Sequence, residues 1–217
     1  MARNSYAVFG MGSFGSKLAL ALARQGNTVL ICDSNPQRIN ELRDKVTEAV
    51  IGNVSNEDVV KELNVSKFDA VILSMSGYFE DQVLALTLLK QEGAKKVVVK
   101  SNSTIQERIL YRLGADEVIQ PELDVAERLS RRLSLSNITD IFEFRGSAIA
   151  DVIVPEHLGG KPLRELDLRN KYNITVLLVC KGGSNECSAG PNTILEAGDQ
   201  LTVFGAEKEI IELFKER

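Results

Sequence analysis

Tyr6-Ala7-Val8-Phe9-Gly10-Met11-Gly12-Ser13-Phe14-Gly15 joins a short apolar run to three glycines spaced G-x-G-x-x-G. A helical segment follows and stops at Gly26. A second apolar run, residues 28–32, then ends on Asp33, 18 residues after Gly15. Strand, glycine turn, helix, strand and terminal acid in this order form the dinucleotide-binding βαβ fingerprint. Gly10 is expected to allow the tight turn out of the strand, Gly12 the close approach of a pyrophosphate, and Gly15 the packing of helix on strand. Met11, Ser13 and Phe14 complete the turn. The helix start offers unpaired N–H groups and partial positive charge to phosphate. Asp33 is placed to accept hydrogen bonds from ribose hydroxyls, and its charge disfavours a 2′-phosphate.

The pattern continues along the first two thirds of the chain. Ser34-Asn35-Pro36 opens a helix with a capping residue and a proline at its first position. Strand-like runs at residues 48–51, 70–73, 97–99 and 117–119 alternate with helical segments at 57–63 and 80–92, a third opened by Ser103, and 123–135. Ser103 and Gln106 have capping-box spacing. Val83, Leu84, Leu86, Leu88 and Leu89 give the segment at 80–92 a broad apolar face. Six strand–helix repeats predict an α/β fold with a Rossmann-like, doubly wound parallel sheet. Ser34, Gly52, Asn53, Ser74 and Met75 follow strand ends on the side where such sheets bind ligands, and Lys100, closing the fifth strand, is placed to offer its charge to a phosphate.

The pattern changes after Ser134. Strands are expected at residues 148–154, 174–180 and 200–204. A short helix is expected at 163–168, a hairpin region at 181–191 and a closing helix at 207–214. The domains expected are therefore residues 1–134 and a small α+β unit, 135–217. Residues 1–134 hold 17 Lys/Arg and 17 Asp/Glu, and residues 135–217 hold 9 and 13. Neither half has the basic surplus that nucleic acid requires, so DNA and RNA are excluded as partners. No apolar run approaches the roughly 18 residues of a membrane span. The first residues lack a signal-peptide core, which points to the cytoplasm. Cys32, Cys180 and Cys187 are few and odd in number, and are expected as reduced thiols.

Two stretches carry a resemblance to a known family. Leu113-Gly114-Ala115-Asp116-Glu117-Val118-Ile119-Gln120-Pro121-Glu122 is similar to a "G-A-D-x-V-I-x-P-E" segment of the RCK (regulator of K⁺ conductance) proteins. Leu158-Gly159-Gly160-Lys161-Pro162-Leu163-Arg164-Glu165-Leu166-Asp167-Leu168-Arg169, followed later by Gly198-Asp199-Gln200-Leu201, resembles their carboxy-terminal domain. The resemblance covers the whole chain. It implies a non-enzymatic regulatory subunit that binds an adenine nucleotide (ATP/ADP, or NAD/NADH) and gates a membrane potassium-translocating subunit of the Ktr or Trk type. It also implies a homo-oligomeric ring, built from dimers into an octamer, peripheral to the inner face of the membrane. Glu122 resembles the acid that holds a divalent cation, Mg²⁺ or Ca²⁺, near the phosphates. Leu168, Arg169 and Thr175 fall where some relatives bind cyclic di-AMP, although those relatives have asparagine in place of Thr175. Many relatives have arginine at the Ser13 position, so selection of ATP over ADP or NAD is expected to be weak. The competing reading is a small NAD-dependent oxidoreductase. Against it, the sole histidine, His157, sits in a turn, and no tyrosine is followed four residues later by lysine. The chain also lacks G-x-S-x-G and H-E-x-x-H.

Overall fold

The structure, a computed structural model, describes residues 3–75, 77, 79–182 and 188–215. The first half alternates strand and helix: β1 (Ser5–Phe9), α1 (Ser13–Arg24), β2 (Thr28–Asp33), α2 (Pro36–Asn40), β3 (Glu48–Ile51), α3 (Glu57–Leu63), β4 (Ala70–Leu73), α4 (Phe79–Gln91), β5 (Val97–Lys100), α5 (Thr104–Arg112) and β6 (Glu117–Ile119). The six strands form one parallel sheet in the order β3-β2-β1-β4-β5-β6.

Alternation along the strands explains the two layers of helices. Val8, Ile31 and Ile72 pack with Ala19 of α1 and Ile39 of α2. Their neighbours Ala7, Phe9, Leu30, Val71 and Leu73 point the other way, onto Val60 of α3, Leu86 and Leu89 of α4, and Leu110 of α5. Successive side chains on a strand face opposite sides, so a strand covered on both faces must be apolar throughout. Caps fix where the helices begin. Asn35 accepts from the Gln37 amide, Asn56 from that of Asp58 and Ser103 from that of Gln106. The Gln106 side chain accepts from Asn102 N–H, one residue before the cap, so the expected capping box closes one position early. Leu84 of α4, expected on its apolar face, is largely exposed.

The second half begins with α6 (Pro121–Ser134) and continues with β7 (Ile138–Phe144), β8 (Ser147–Ile153), α7 (Leu163–Leu166), α8 (Leu168–Tyr172), β9 (Thr175–Cys180), β10 (Gln200–Ala206) and α9 (Glu207–Phe214). Its four strands form an antiparallel sheet in the order β7-β8-β10-β9. Ala148, Ala150, Val152, Leu201 and Val203 pack with Ile210, Leu213 and Phe214 of α9 in a separate core. By contacts the chain divides into residues Met1–Glu122 and Leu123–Arg217, earlier than the 134/135 boundary read from sequence. α6 contributes no buried residue, and its Arg131 pairs with Glu143 and Glu207 of the second unit.

The structure amends the sequence expectations at several points. β7 is an additional strand, in a stretch where no element was expected. The single helix expected at 163–168 is two short helices separated by Asp167, whose φ of 49° is left-handed and interrupts the helical path. Cys180 is disulfide-bonded, which overturns its expectation as a reduced thiol, whereas Cys32 is free. The expectation for Cys187 and part of the hairpin region lie outside the described residues. Among the described residues, no helix is long and apolar enough to cross a membrane.

Candidate functional site

The strand order reverses between β1 and β4. After β1 the chain moves to β2 on one side, and it later returns to β4 on the other. Helices that leave adjacent strands in opposite directions open a crevice beyond the strand ends. A cleft of about 320 Å³ lies there, lined by Gly10, Gly12, Cys32, Asp33, Ser34, Arg38, Gly52, Asn53, Val54, Ser74, Met75, Gly77 and Asp81. Backbone bonds fix its floor. Gly10 N–H donates to the Cys32 carbonyl at 2.8 Å, Ser74 N–H to that of Phe9 at 2.7 Å, and Gly52 N–H to that of Asp33 at 3.1 Å.

Two glycines of the turn are sterically required. Gly10 has φ of +91°, and a Cβ there would stand 2.9 Å from the Met75 nitrogen. A Cβ on Gly15 would lie 2.1 Å from the Gly10 carbonyl oxygen and 2.9 Å from Ser74 Oγ. Gly12 is the extended N-cap residue of α1, so the first turn of this helix opens beside the cleft. The cradle therefore fits a phosphate-bearing ligand: close backbone approach, a helix N-terminus and no side chain in the way.

Asp33 is more engaged than its sequence position indicates. Its side chain is 6% exposed. Oδ2 accepts from Met11 N–H at 2.6 Å, and Oδ1 accepts from Asn35 N–H at 2.8 Å. Arg38 Nη1, on a half-exposed side chain, reaches Oδ2 at 3.4 Å. The acid thus ties the glycine turn to the start of α2. Oδ2 already accepts twice, so the lone pair still open to a further donor is on Oδ1. Arg38, Cys32, Val54, Gly77 and Asp81 line the cleft without having been singled out in the sequence. Arg38 was detectable in principle, as the cation five residues beyond the acid. Cys32 is fully buried, and that burial, together with the charge of Asp33, pushes its thiol up to about 12. It is therefore a neutral wall residue with no nucleophilic character at ordinary pH.

Of the residues expected at the site, Gly10, Gly12, Asp33, Ser34, Gly52, Asn53, Ser74 and Met75 line this one cleft. Met11 is buried and contributes its backbone N–H. Gly15 packs beneath the turn, while Ser13 is exposed and Phe14 half-buried at the start of α1. Lys100 and Glu122 are brought together with each other and are not among the lining residues: Nζ donates to Oε1 at 2.5 Å, with side chains 7% and 67% exposed. This hydrogen bond holds the Glu122 carboxyl below its usual range. In the second unit Leu168 is buried in the core, Arg169 is exposed and Thr175 is half-buried. The two elements are linked by a bond from Ile174 N–H to the Leu168 carbonyl at 3.1 Å.

Fold and cleft together define a nucleotide-binding α/β domain followed by a small α+β unit. Comparison with known proteins places it further. Residues 6–121 match the TrkA-N domain and residues 148–216 the TrkA-C domain. The chain belongs to this TrkA-N/TrkA-C family, and its role is regulatory, in potassium transport. It is 29% identical to the Ktr system potassium uptake protein C of Bacillus subtilis over 96% of this chain and 95% of that one. It is 30% identical to the Ktr system potassium uptake protein A of Vibrio alginolyticus over 97% and 96%. Among solved structures, the GsuK channel bound to NAD shares the fold, with a TM-score of 0.65 at 18% identity. That match covers 98% of this chain but only 39% of the channel chain.

Proposed function

We propose that this protein is the cytoplasmic, nucleotide-sensing subunit that gates a membrane potassium-translocating partner of the Ktr or Trk type, and that it is a regulator and not an enzyme. The observation that carries this is the cleft at the β1/β4 switch point, where Gly12 opens the first turn of α1 beside the space a phosphate would take and Asp33 stands fixed for ribose. Kinship with Ktr potassium uptake proteins over nearly their whole length supplies the physiological setting. The ligand is an adenine nucleotide, ADP, ATP or NAD(H). Its binding energy shifts the partner only insofar as the subunit's two shapes bind it with different affinity. A homo-oligomer, as a dimer-built octameric ring, is the assembly proposed.

A divalent cation, Mg²⁺ or Ca²⁺, at Glu122 has to compete with Lys100 for the carboxylate. Among the described residues there is no group of three or more His, Cys, Asp and Glu side chains able to hold a metal. A cation at Glu122 would therefore draw on the nucleotide's own phosphates for its remaining ligands. Cyclic di-AMP at Leu168, Arg169 and Thr175 is a second proposed ligand, resting on the family resemblance of that stretch.

Calorimetric titration with ATP, ADP, AMP, NAD and NADH, combined with light scattering, tests the reading. Micromolar binding of at least one nucleotide by a particle of several subunits is expected. A monomer that binds none of the five refutes it. Turnover of NADH with a substrate would instead favour an oxidoreductase.

A further inference from the structure

Phosphate, ribose and base follow one another in a nucleotide. With the phosphate on the glycine turn and the ribose at Asp33, the base falls beyond Asp33, on the β2 and β3 side. There the cleft is lined by Arg38, Gly52, Asn53 and Val54. Val54 is buried and offers an apolar floor to one face of a flat ring. Arg38 is the one cationic side chain among the described residues that line the cleft. Its attachment is loose. Nη1 reaches Asp33 Oδ2 at 3.4 Å, against about 2.7–2.9 Å for a well-formed charge-assisted bond, and its side chain is 53% exposed. Met11 N–H holds the same oxygen at 2.6 Å. The short bond tethers the turn, and the long one occupies a lone pair that a ribose hydroxyl could use. A ribose presents two hydroxyls, but while Arg38 stays only Oδ1 has a place for one.

We propose that Arg38 is a specificity-determining residue that changes partner when a nucleotide enters. A ribose hydroxyl takes its place on Asp33 Oδ2, and the freed guanidinium lies flat over the adenine, with Val54 on the other face of the ring. This rests on the nucleotide-binding function proposed above and assigns the choice of base to one side chain. An ion pair with a half-exposed partner contributes little, so its release costs little, and Oδ2 keeps the same number of donors. A guanidinium is planar and stacks on a base, whereas an ammonium is a point charge. The larger purine ring gains more from such a cover than a pyrimidine.

The test is Arg38→Lys and Arg38→Ala in the full chain, titrated by calorimetry with ADP, UDP, NAD and NADP. The wild type is expected to bind ADP about tenfold tighter than UDP. Arg38→Lys keeps the charge and loses the plane. Its affinity for ADP and for NAD is expected to fall by the same factor, about fivefold, with the ADP to UDP ratio narrowed. Arg38→Ala should lose about tenfold for both adenine ligands. Unchanged ADP affinity in Arg38→Lys shows that charge alone is read, and it overturns the proposal. An equal loss for ADP and UDP, as a merely structural residue would give, overturns it too. So does NADP bound by the wild type as tightly as NAD and lost alone in Arg38→Ala, because Arg38 would then be a clamp for the 2′-phosphate. If the wild type binds neither ADP nor NAD, the nucleotide-binding function itself fails, a result read without either variant.

Discussion

Gly15→Ala adds one methyl group where the structure has no room for it. The new carbon would lie 2.1 Å from the Gly10 carbonyl oxygen and 2.9 Å from Ser74 Oγ. Carbon and oxygen approach comfortably at about 3.3 Å, so α1 must withdraw by about 1 Å. Gly10 cannot yield instead. Its φ of +91° and its 2.8 Å bond to the Cys32 carbonyl fix the turn. Overpacking of this kind costs about 1–3 kcal/mol, and alanine's better helix propensity returns at most about 1 kcal/mol. A net loss of about 2 kcal/mol corresponds to a fall of roughly 5–10 °C in melting temperature for a unit of this size. The displaced helix start also moves its N–H groups away from phosphate, so affinity for ADP should fall at least about tenfold. Gly190→Ala is the matched control, because a Cβ there makes only an ordinary 3.6 Å contact with Thr193 Oγ1 and Gly190 is not among the cleft-lining residues. Urea and thermal unfolding with calorimetry read both effects. If Gly15→Ala melts and binds ADP like the control, the steric account of the turn is wrong.

Asp33→Ala removes the acceptors for Met11 and Asn35 N–H, so it should lower stability by about 1–3 kcal/mol and also weaken nucleotide binding; a change confined to binding would mean that the turn needs no tether. The Glu122 carboxyl is held low by Lys100, so the folded state favours its ionised form. Its stabilising effect is present above the ordinary glutamate range and is lost as pH falls through the folded value, and Glu122→Gln should flatten the acid limb of a stability profile. Cys32 has the opposite sign: its thiol stays protonated in the fold, so its contribution is intact below about pH 9 and is lost as pH rises toward 12. Thiol reagents at pH 8 should leave Cys32 unmodified until urea unfolds the chain. Ser13→Arg should raise the preference for ATP over ADP by adding a charge-assisted contact, as measured by parallel titrations.

The parallel sheet was legible because a strand buried on both faces leaves an unbroken apolar run, and residues 6–9, 28–32 and 70–73 show this plainly. The glycine turn and Asp33 were legible because their spacing is dictated by local geometry. β7 was not, since its register slips between Ile138 and Asp140 and its outer residues Phe142 and Phe144 are exposed, which blurs the period of two. The break at Asp167 escaped notice because a left-handed aspartate carries no signal comparable to glycine. Lys100 and Glu122 were each read as facing a ligand or a cation. Their mutual pairing across 22 positions depends on the β5–β6 register, which sequence does not display.

The floor of the cleft is held by main-chain bonds, from Gly10 to Cys32, Ser74 to Phe9 and Gly52 to Asp33, and not by the side chains that face the ligand. This separates what the cleft is from what it prefers. Substitutions at Ser13, Ser34, Arg38 or Asn53 can retune which nucleotide is favoured without dismantling the frame, whereas the glycines and Asp33 offer no such freedom. On the nucleotide-binding function proposed above, one scaffold can therefore drift among adenine nucleotides, altering the signal it answers to while the architecture that receives it stays the same.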